Sequence, residues 1–216
     1  MQKEADVINE FIRFAIQKGV LKFGDFTLKS GRQSPYFFNA GLFQDGESLA
    51  RLGQYYAQAL QASGVDFEVL FGPAYKGIPL VSATAISLST HFHRNVSYAY
   101  SRKEAKQHGE GGQLVGAELS GKVIIVDDII TAGTAIREAI DLIQEHGAEL
   151  AGVVVAIDRQ EKGNGSHSAI EEVQQEFQVP VISIVKFSDI IEFVSTQFSQ
   201  DQMERMQAYR LAYGVS

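Results

Sequence analysis

The sequence predicts an α/β fold: a mostly parallel, twisted sheet flanked by helices, with a small N-terminal hood. Three observations carry that expectation. Short β-branched runs alternate with amphipathic stretches of helical length from Gly64 onward. One of the runs, Val123, Ile124, Ile125, Val126, is apolar at every position, as suits a strand covered on both faces. That run ends in Asp127 and Asp128 and then turns through small residues into a helical pattern, which is how a parallel sheet presents a ligand site at its carboxyl edge.

Val7, Ile8, Phe11, Ile12, Ala15 and Ile16 recur at helical spacing and the pattern stops at Gly19, so an amphipathic helix opens the chain. Phe23 to Leu28 and Tyr36 to Asn39 flank the turn from Ser30 to Pro35 and predict a flap of short strands outside the main sheet. A helix over Glu47 to Ala62 ends at Gly64. Then follow a strand Val69 to Phe71, a helix Ile78 to Thr90, a strand Val96 to Tyr100 and the strand Val123 to Val126. A helix Thr134 to His146, a strand Leu150 to Ile157, a helix Ser168 to Phe177 and a strand Val181 to Val185 complete the alternation, with right-handed crossovers expected. Ile190 to Tyr213 reads as helical. Between Tyr100 and Gly121 no helical or strand period is visible, so a long loop is expected there.

At 216 residues the chain suffices for a single domain, with 1–45 as the hood and 101–117 as a mobile loop. It has no cysteine, which excludes disulfides and thiolate metal sites and agrees with a reducing compartment. Met1 to Phe11 carries Lys3, Glu4, Asp6 and Glu10 and lacks the apolar centre of a signal peptide, and no segment approaches a membrane-spanning run. A cytoplasmic protein is expected. The formal net charge of −7 argues against an extended nucleic-acid surface, so any anion site must be assembled locally.

The turn after Val126 has the residues for one. Thr131 and Thr134 offer hydroxyl donors, Gly133 allows close backbone approach, and the following helix N-terminus supplies free N–H groups to a phosphate. Asp127 and Asp128 can accept hydrogen bonds from a sugar diol. A second loop, Gly72 to Gly77, also follows a predicted strand and precedes a predicted helix, and it brings Lys76 to the same rim. Arg102, Lys103, Lys106 and His108 crowd three cations and a histidine into seven positions of an acidic chain, followed by Gly109, Gly111 and Gly112, as in a cationic lid.

The acidic pair followed by Thr131, Ala132, Gly133, Thr134 resembles the phosphoribosyl pyrophosphate (PRPP) motif of the type I phosphoribosyltransferase family, in the branch that takes orotate as its base. The resemblance runs from Phe11 to Tyr213. It implies the type I phosphoribosyltransferase fold, transfer of the phosphoribosyl group of PRPP to orotate to give orotidine 5'-monophosphate and pyrophosphate in pyrimidine biosynthesis, and Mg2+ held mainly by substrate oxygens and water near Asp127. It also implies that PRPP meets Lys29, Tyr75, Lys76, Arg102, Lys103, Lys106, His108 and the run Asp127, Asp128, Ile129, Ile130, Thr131, Ala132, Gly133, Thr134, Ala135. Orotate is implied to meet Lys29, Phe37, Phe38, Thr131 and Arg159, the last pairing with its carboxylate as a planar fork. Lys106, Asp127, Asp128, Lys76, Arg102 and His108 are the implied catalytic set. In that family the lid closes over the neighbouring subunit's site, which implies a homodimer. Transfer to another base, a PRPP-sensing regulator and a phosphorelay receiver are the competing readings.

Overall fold

The computed structural model describes residues 2–28, 31–106, 112–131, 133–163 and 165–215. An opening helix α1 (Gln2–Gln17) leads into the hairpin β1 (Leu21–Thr27) and β2 (Gln33–Phe38), which forms its own two-stranded sheet. Helix α2 (Gly46–Ser63) follows, then β3 (Val69–Gly72), α3 (Gly77–Phe92), β4 (Ser97–Lys106), β5 (Gly112–Gly116), β6 (Lys122–Val126), α4 (Thr134–Glu145), β7 (Glu149–Asp158), α5 (Ala169–Phe177), β8 (Val181–Lys186), α6 (Phe187–Gln197) and α7 (Gln200–Tyr213). The main sheet has six strands in the order β5-β4-β3-β6-β7-β8. All its neighbours are parallel except β4 and β5.

The centre of that sheet is fully buried because every side chain of its central strand is apolar from Val123 to Val126. Val123, Ile124, Ile125 and Val126 are each 0% exposed, and their alternate side chains enter two separate apolar clusters, one on each face. Burying such a side chain is worth about 1.5–3 kcal/mol. The helix ends follow the signals in the sequence. Asp45 and Ser48 form a reciprocal capping box at the start of α2, and Gly64 ends it in the left-handed region at φ 68°.

Two segments differ from expectation. The stretch after Tyr100 is not a structureless loop where it is described: β4 runs on to Lys106 and pairs antiparallel with β5, with Lys106 opposite Gly112. The sequence hid this arm because an edge ribbon has no fully buried face to impose alternation. The C-terminal helical region is two helices, broken where Ser199 adopts an extended conformation and its hydroxyl accepts the Gln202 N–H to cap α7. Among the described residues no helix is long and apolar enough to cross a membrane.

The hood is fastened to the C-terminal half of the chain. The Gln202 amide donates to the Pro35 carbonyl (3.2 Å), and Arg205 pairs with Asp25. Tyr36 stacks on Phe187 at 4.8 Å and meets Tyr209 edge-on at 6.0 Å.

Candidate active site

Strands β3 and β6 are parallel neighbours, so the loops that leave their carboxyl ends share one rim of the sheet. The β6 loop begins with the acid pair, which is buried: Asp127 is 9% and Asp128 is 6% exposed. Both backbones are locked. The Asp127 N–H donates to the Val154 carbonyl, the Ala156 N–H donates to the Asp128 carbonyl (both 3.0 Å), and the Tyr56 hydroxyl donates to the Asp127 carbonyl at 2.7 Å. The Asp128 N–H donates to Asp127 Oδ1 at 2.8 Å. Burial, and then the neighbouring Asp128 charge, push the Asp127 carboxyl up to about 7.

Among the described residues, no carbonyl or side chain accepts from the N–H groups of Ile129, Ile130, Thr131, Gly133, Thr134 or Ala135. Gly133, at φ 73°, makes the left-handed turn into α4, and a Cβ there would lie 2.5 Å from the Arg137 guanidinium. Ile130 is buried and Ile129 packs against the core, so these two can meet a ligand only through their backbone. Thr131, Thr134 and Ala135 are exposed. Free amides at a helix N-terminus can accommodate a phosphate.

The β3 loop stands opposite. Lys76 Nζ lies 2.5 Å from Asp128 Oδ2, so this loop is tied directly to the acid pair. Gly72 and Gly77 pack backbone on backbone: a Cβ on Gly72 would sit 2.3 Å from the Gly77 carbonyl oxygen. Tyr75, 67% exposed, projects from the loop, and the Lys103 ammonium lies 5.2 Å from its ring centroid. The Ala74 N–H donates to Ser101 Oγ (3.0 Å), anchoring the loop to the base of the arm. Between loop, arm and α4 opens a cleft of about 360 Å³ lined by Ala74, Ser101, Arg102, Lys103, Gln113 and Glu138. Arg102 Nη1 is buried without a hydrogen-bond partner among the described residues, a donor available to an anion.

Of the proposed base-binding residues, Thr131 lies in the turn after β6, Phe37 and Phe38 end strand β2 of the hood, and Arg159 follows β7. Phe37 is 36% exposed and stacks on Phe26 at 5.5 Å, whereas Phe38 packs against the core. Arg159 follows β7, next to β6 in the sheet, and its guanidinium lies 5.3 Å from the ring of Tyr36, the neighbour of Phe37. Arg159 donates from Nε (2.9 Å) and Nη2 (2.6 Å) to Glu161 Oε1. Lys29, His108 and Ala132 lie outside the described residues, as does the side chain of Lys106. Sequence reasoning did not single out Tyr56, Ser101, Glu161 or Tyr209. Only Glu161 had a local signal, two positions past Arg159.

The donor set also bears on metal binding. Among the described residues no three His, Cys, Asp or Glu side chains stand together as a closed cage. The two carboxylates beside the amide ring are hard oxygen donors and fit a divalent cation that takes the rest of its shell from substrate oxygens and water.

This strand order, with an acid pair and free amides on one rim, is the arrangement of the phosphoribosyltransferase class. The family model of the phosphoribosyl transferase domain matches residues 42–183, and the chain belongs to that family, in its orotate phosphoribosyltransferase branch. It is 58% identical over 208 residues to the orotate phosphoribosyltransferase of Pseudoalteromonas translucida (strain TAC 125), covering 96% of this chain and 97% of that one. It is 59% identical over 207 residues to that of Vibrio cholerae serotype O1, covering 95% and 97%. The crystal structure of the Francisella tularensis orotate phosphoribosyltransferase superposes with a TM-score of 0.89 at 45% identity, covering 95% of this chain and 99% of that one. The Mycobacterium tuberculosis orotate phosphoribosyltransferase, solved in complex with PRPP, shares the fold at a TM-score of 0.63 and 20% identity, covering 85% and 98%.

Proposed function

We propose that this chain transfers the phosphoribosyl group of PRPP to N1 of orotate, releasing pyrophosphate and forming orotidine 5'-monophosphate. The observation that carries the proposal is the single turn that offers six amides with no acceptor among the described residues and, immediately before them, two buried carboxylates. The amides of Thr131 to Ala135 and the hydroxyls of Thr131 and Thr134 take the 5'-phosphate. Asp127 and Asp128 accept from the ribose hydroxyls. Lys76, Tyr75, Arg102 and Lys103 meet the pyrophosphate, with Lys106 and His108 arriving from the arm.

The reaction needs no protein nucleophile. As the C1–O bond to pyrophosphate lengthens, positive charge grows on the ribose ring and negative charge on the leaving group. The cations of the β3 loop and arm stabilise the second of these. Asp127 and Asp128 would help to hold a Mg2+ ion brought in with the substrate, and the ion would supply positive charge against the leaving group. Orotate N1 then bonds to C1 on the face opposite the departing pyrophosphate, inverting C1 from α to β, while the N1 proton passes to the released pyrophosphate or to solvent. Phe37 and the backbone around Phe38 flank the flat base, and Arg159 faces its carboxylate. Closing the arm excludes water that would otherwise hydrolyse PRPP.

An edge ribbon rich in cations suits an arm that reaches another subunit, so the working unit we infer is a homodimer in which the arm serves the neighbouring site. The chain lacks cysteine, which fits a cytoplasmic setting. The test is direct. The absorbance of orotate falls on adding PRPP and Mg2+, while uracil, hypoxanthine and adenine give no product under the same conditions. Consumption of another base in preference to orotate would reassign the substrate.

A further inference from the structure

The region matched by the family model ends at residue 183, yet segments on both sides of it converge on one side chain just past β7. Glu161 Oε1 accepts from Arg159 Nε and Nη2, from the Tyr209 hydroxyl of α7 (2.9 Å) and from the Tyr36 hydroxyl of β2 (3.2 Å). Its other oxygen lies 3.7 Å from Arg32 Nη1 in the hood hairpin, and Arg32 also donates to the Lys162 carbonyl at 3.1 Å. The backbone is fastened as well. The Lys162 N–H donates to the Tyr213 carbonyl (2.8 Å), and the Val215 N–H donates to the Gln160 carbonyl (2.9 Å). The Glu161 side chain is only 13% exposed, so this is a built cluster.

We propose that Glu161, held by Tyr209, is a positioning residue that fixes the guanidinium plane of Arg159 for the carboxylate of the base, so that the C-terminal helix helps to set base recognition. The inference rests on the reading of Arg159 given above. An arginine on a free stem samples many rotamers, and bidentate recognition of a carboxylate requires one plane. Glu161 takes one N–H each from Nε and Nη2, and among the described residues nothing accepts from Nη1. The side of the guanidinium formed by Nη1 and the second N–H of Nη2 is therefore left for an incoming carboxylate. Both phenols act as donors to Glu161. Burial, and then the Glu161 charge, push the Tyr209 hydroxyl up to about 12, and burial raises Tyr36 well above an ordinary phenol. With two arginines around one glutamate the cluster carries a formal charge of +1, which favours a base bearing one carboxylate over a neutral one.

Simple charge screening and positioning predict opposite outcomes. If Glu161 only offset the cations, Glu161→Ala would strengthen orotate binding. Positioning predicts that Glu161→Ala raises KM for orotate by about tenfold or more, with kcat and KM for PRPP within about twofold of the parent, and that Glu161→Gln, which keeps an acceptor oxygen, lies between. In an Arg159→Ala background the same substitution adds less than about twofold, since it acts through that guanidinium. Tyr209→Phe repeats the effect on orotate in weaker form and carries the test if Glu161→Ala does not fold. An unchanged or lower KM for orotate, a matched loss in kcat and both KM values, or full additivity with Arg159→Ala overturns the proposal. If Arg159→Ala itself leaves KM for orotate unmoved, the assignment of Arg159 fails first. If Arg159→Ala acts and the Glu161 and Tyr209 variants do not, only this inference fails.

Discussion

Lys76 Nζ and Asp128 Oδ2 stand 2.5 Å apart, joining two loops that are separated by 52 positions in sequence. The pair sets the spacing between the leaving-group side of the site and the ribose side before any ligand arrives. Both partners have a second duty in the proposed reaction, since Lys76 faces pyrophosphate and Asp128 a ribose hydroxyl.

Asp128→Asn is therefore expected to weaken PRPP on two counts, by losing an anionic acceptor and by releasing Lys76. Steady-state kinetics should show kcat/KM for PRPP falling by at least about tenfold with KM for orotate changed much less. An unaltered PRPP dependence would remove the ribose clamp from the account.

Asp127 makes a prediction about pH. Its folded-state carboxyl is raised to about 7, first by burial and then by Asp128. Between pH 4 and 7 the folded chain holds a proton that the unfolded chain has released, so this group's contribution to stability is fully present at low pH and is lost as pH rises through 7. Asp127→Asn carries no such charge. Its melting temperature should gain on that of the parent progressively from pH 4 to 8, at about 2–4 °C per kcal/mol. A difference that stays constant with pH would contradict the buried-acid assignment.

Gly72 tests the architecture of the β3 loop. A methyl there meets the Gly77 backbone at 2.3 Å, and main chain cannot swing aside as a side chain does. Gly72→Ala should cost about 1–3 kcal/mol or more, seen in denaturant or thermal melts, with PRPP binding weakened alongside. A neutral result would mean that the loop has slack.

The arm is tested by Lys106→Ala, expected to lower kcat by at least about 100-fold with the melting temperature kept. Mixing those subunits with Asp128→Asn subunits should restore part of the activity if the arm serves the neighbouring subunit. No recovery would place the arm over its own site.

Much of this was legible in the sequence because the determinants are local. The run Val123 to Val126 announces a doubly covered strand, Gly64 and Ser168 mark helix ends, and the residues from Asp127 to Ala135 occupy one turn. The β-arm was not legible: an edge ribbon imposes no alternation on its sequence, and only the cross-strand register, from Ala99 opposite Gly116 to Lys106 opposite Gly112, reveals it. Nor was the hub around Glu161. Its partners sit at positions 32, 36, 159 and 209, brought together by strand order and by the docking of α7, and no periodicity along the chain connects them.

The most direct measurement is a crystal structure of the chain with orotidine 5'-monophosphate bound. The account predicts the 5'-phosphate against the amides of Thr131 to Ala135, the ribose hydroxyls within hydrogen-bonding distance of Asp127 and Asp128, and the base carboxylate on Arg159. A nucleotide bound elsewhere, with that turn untouched, would contradict it.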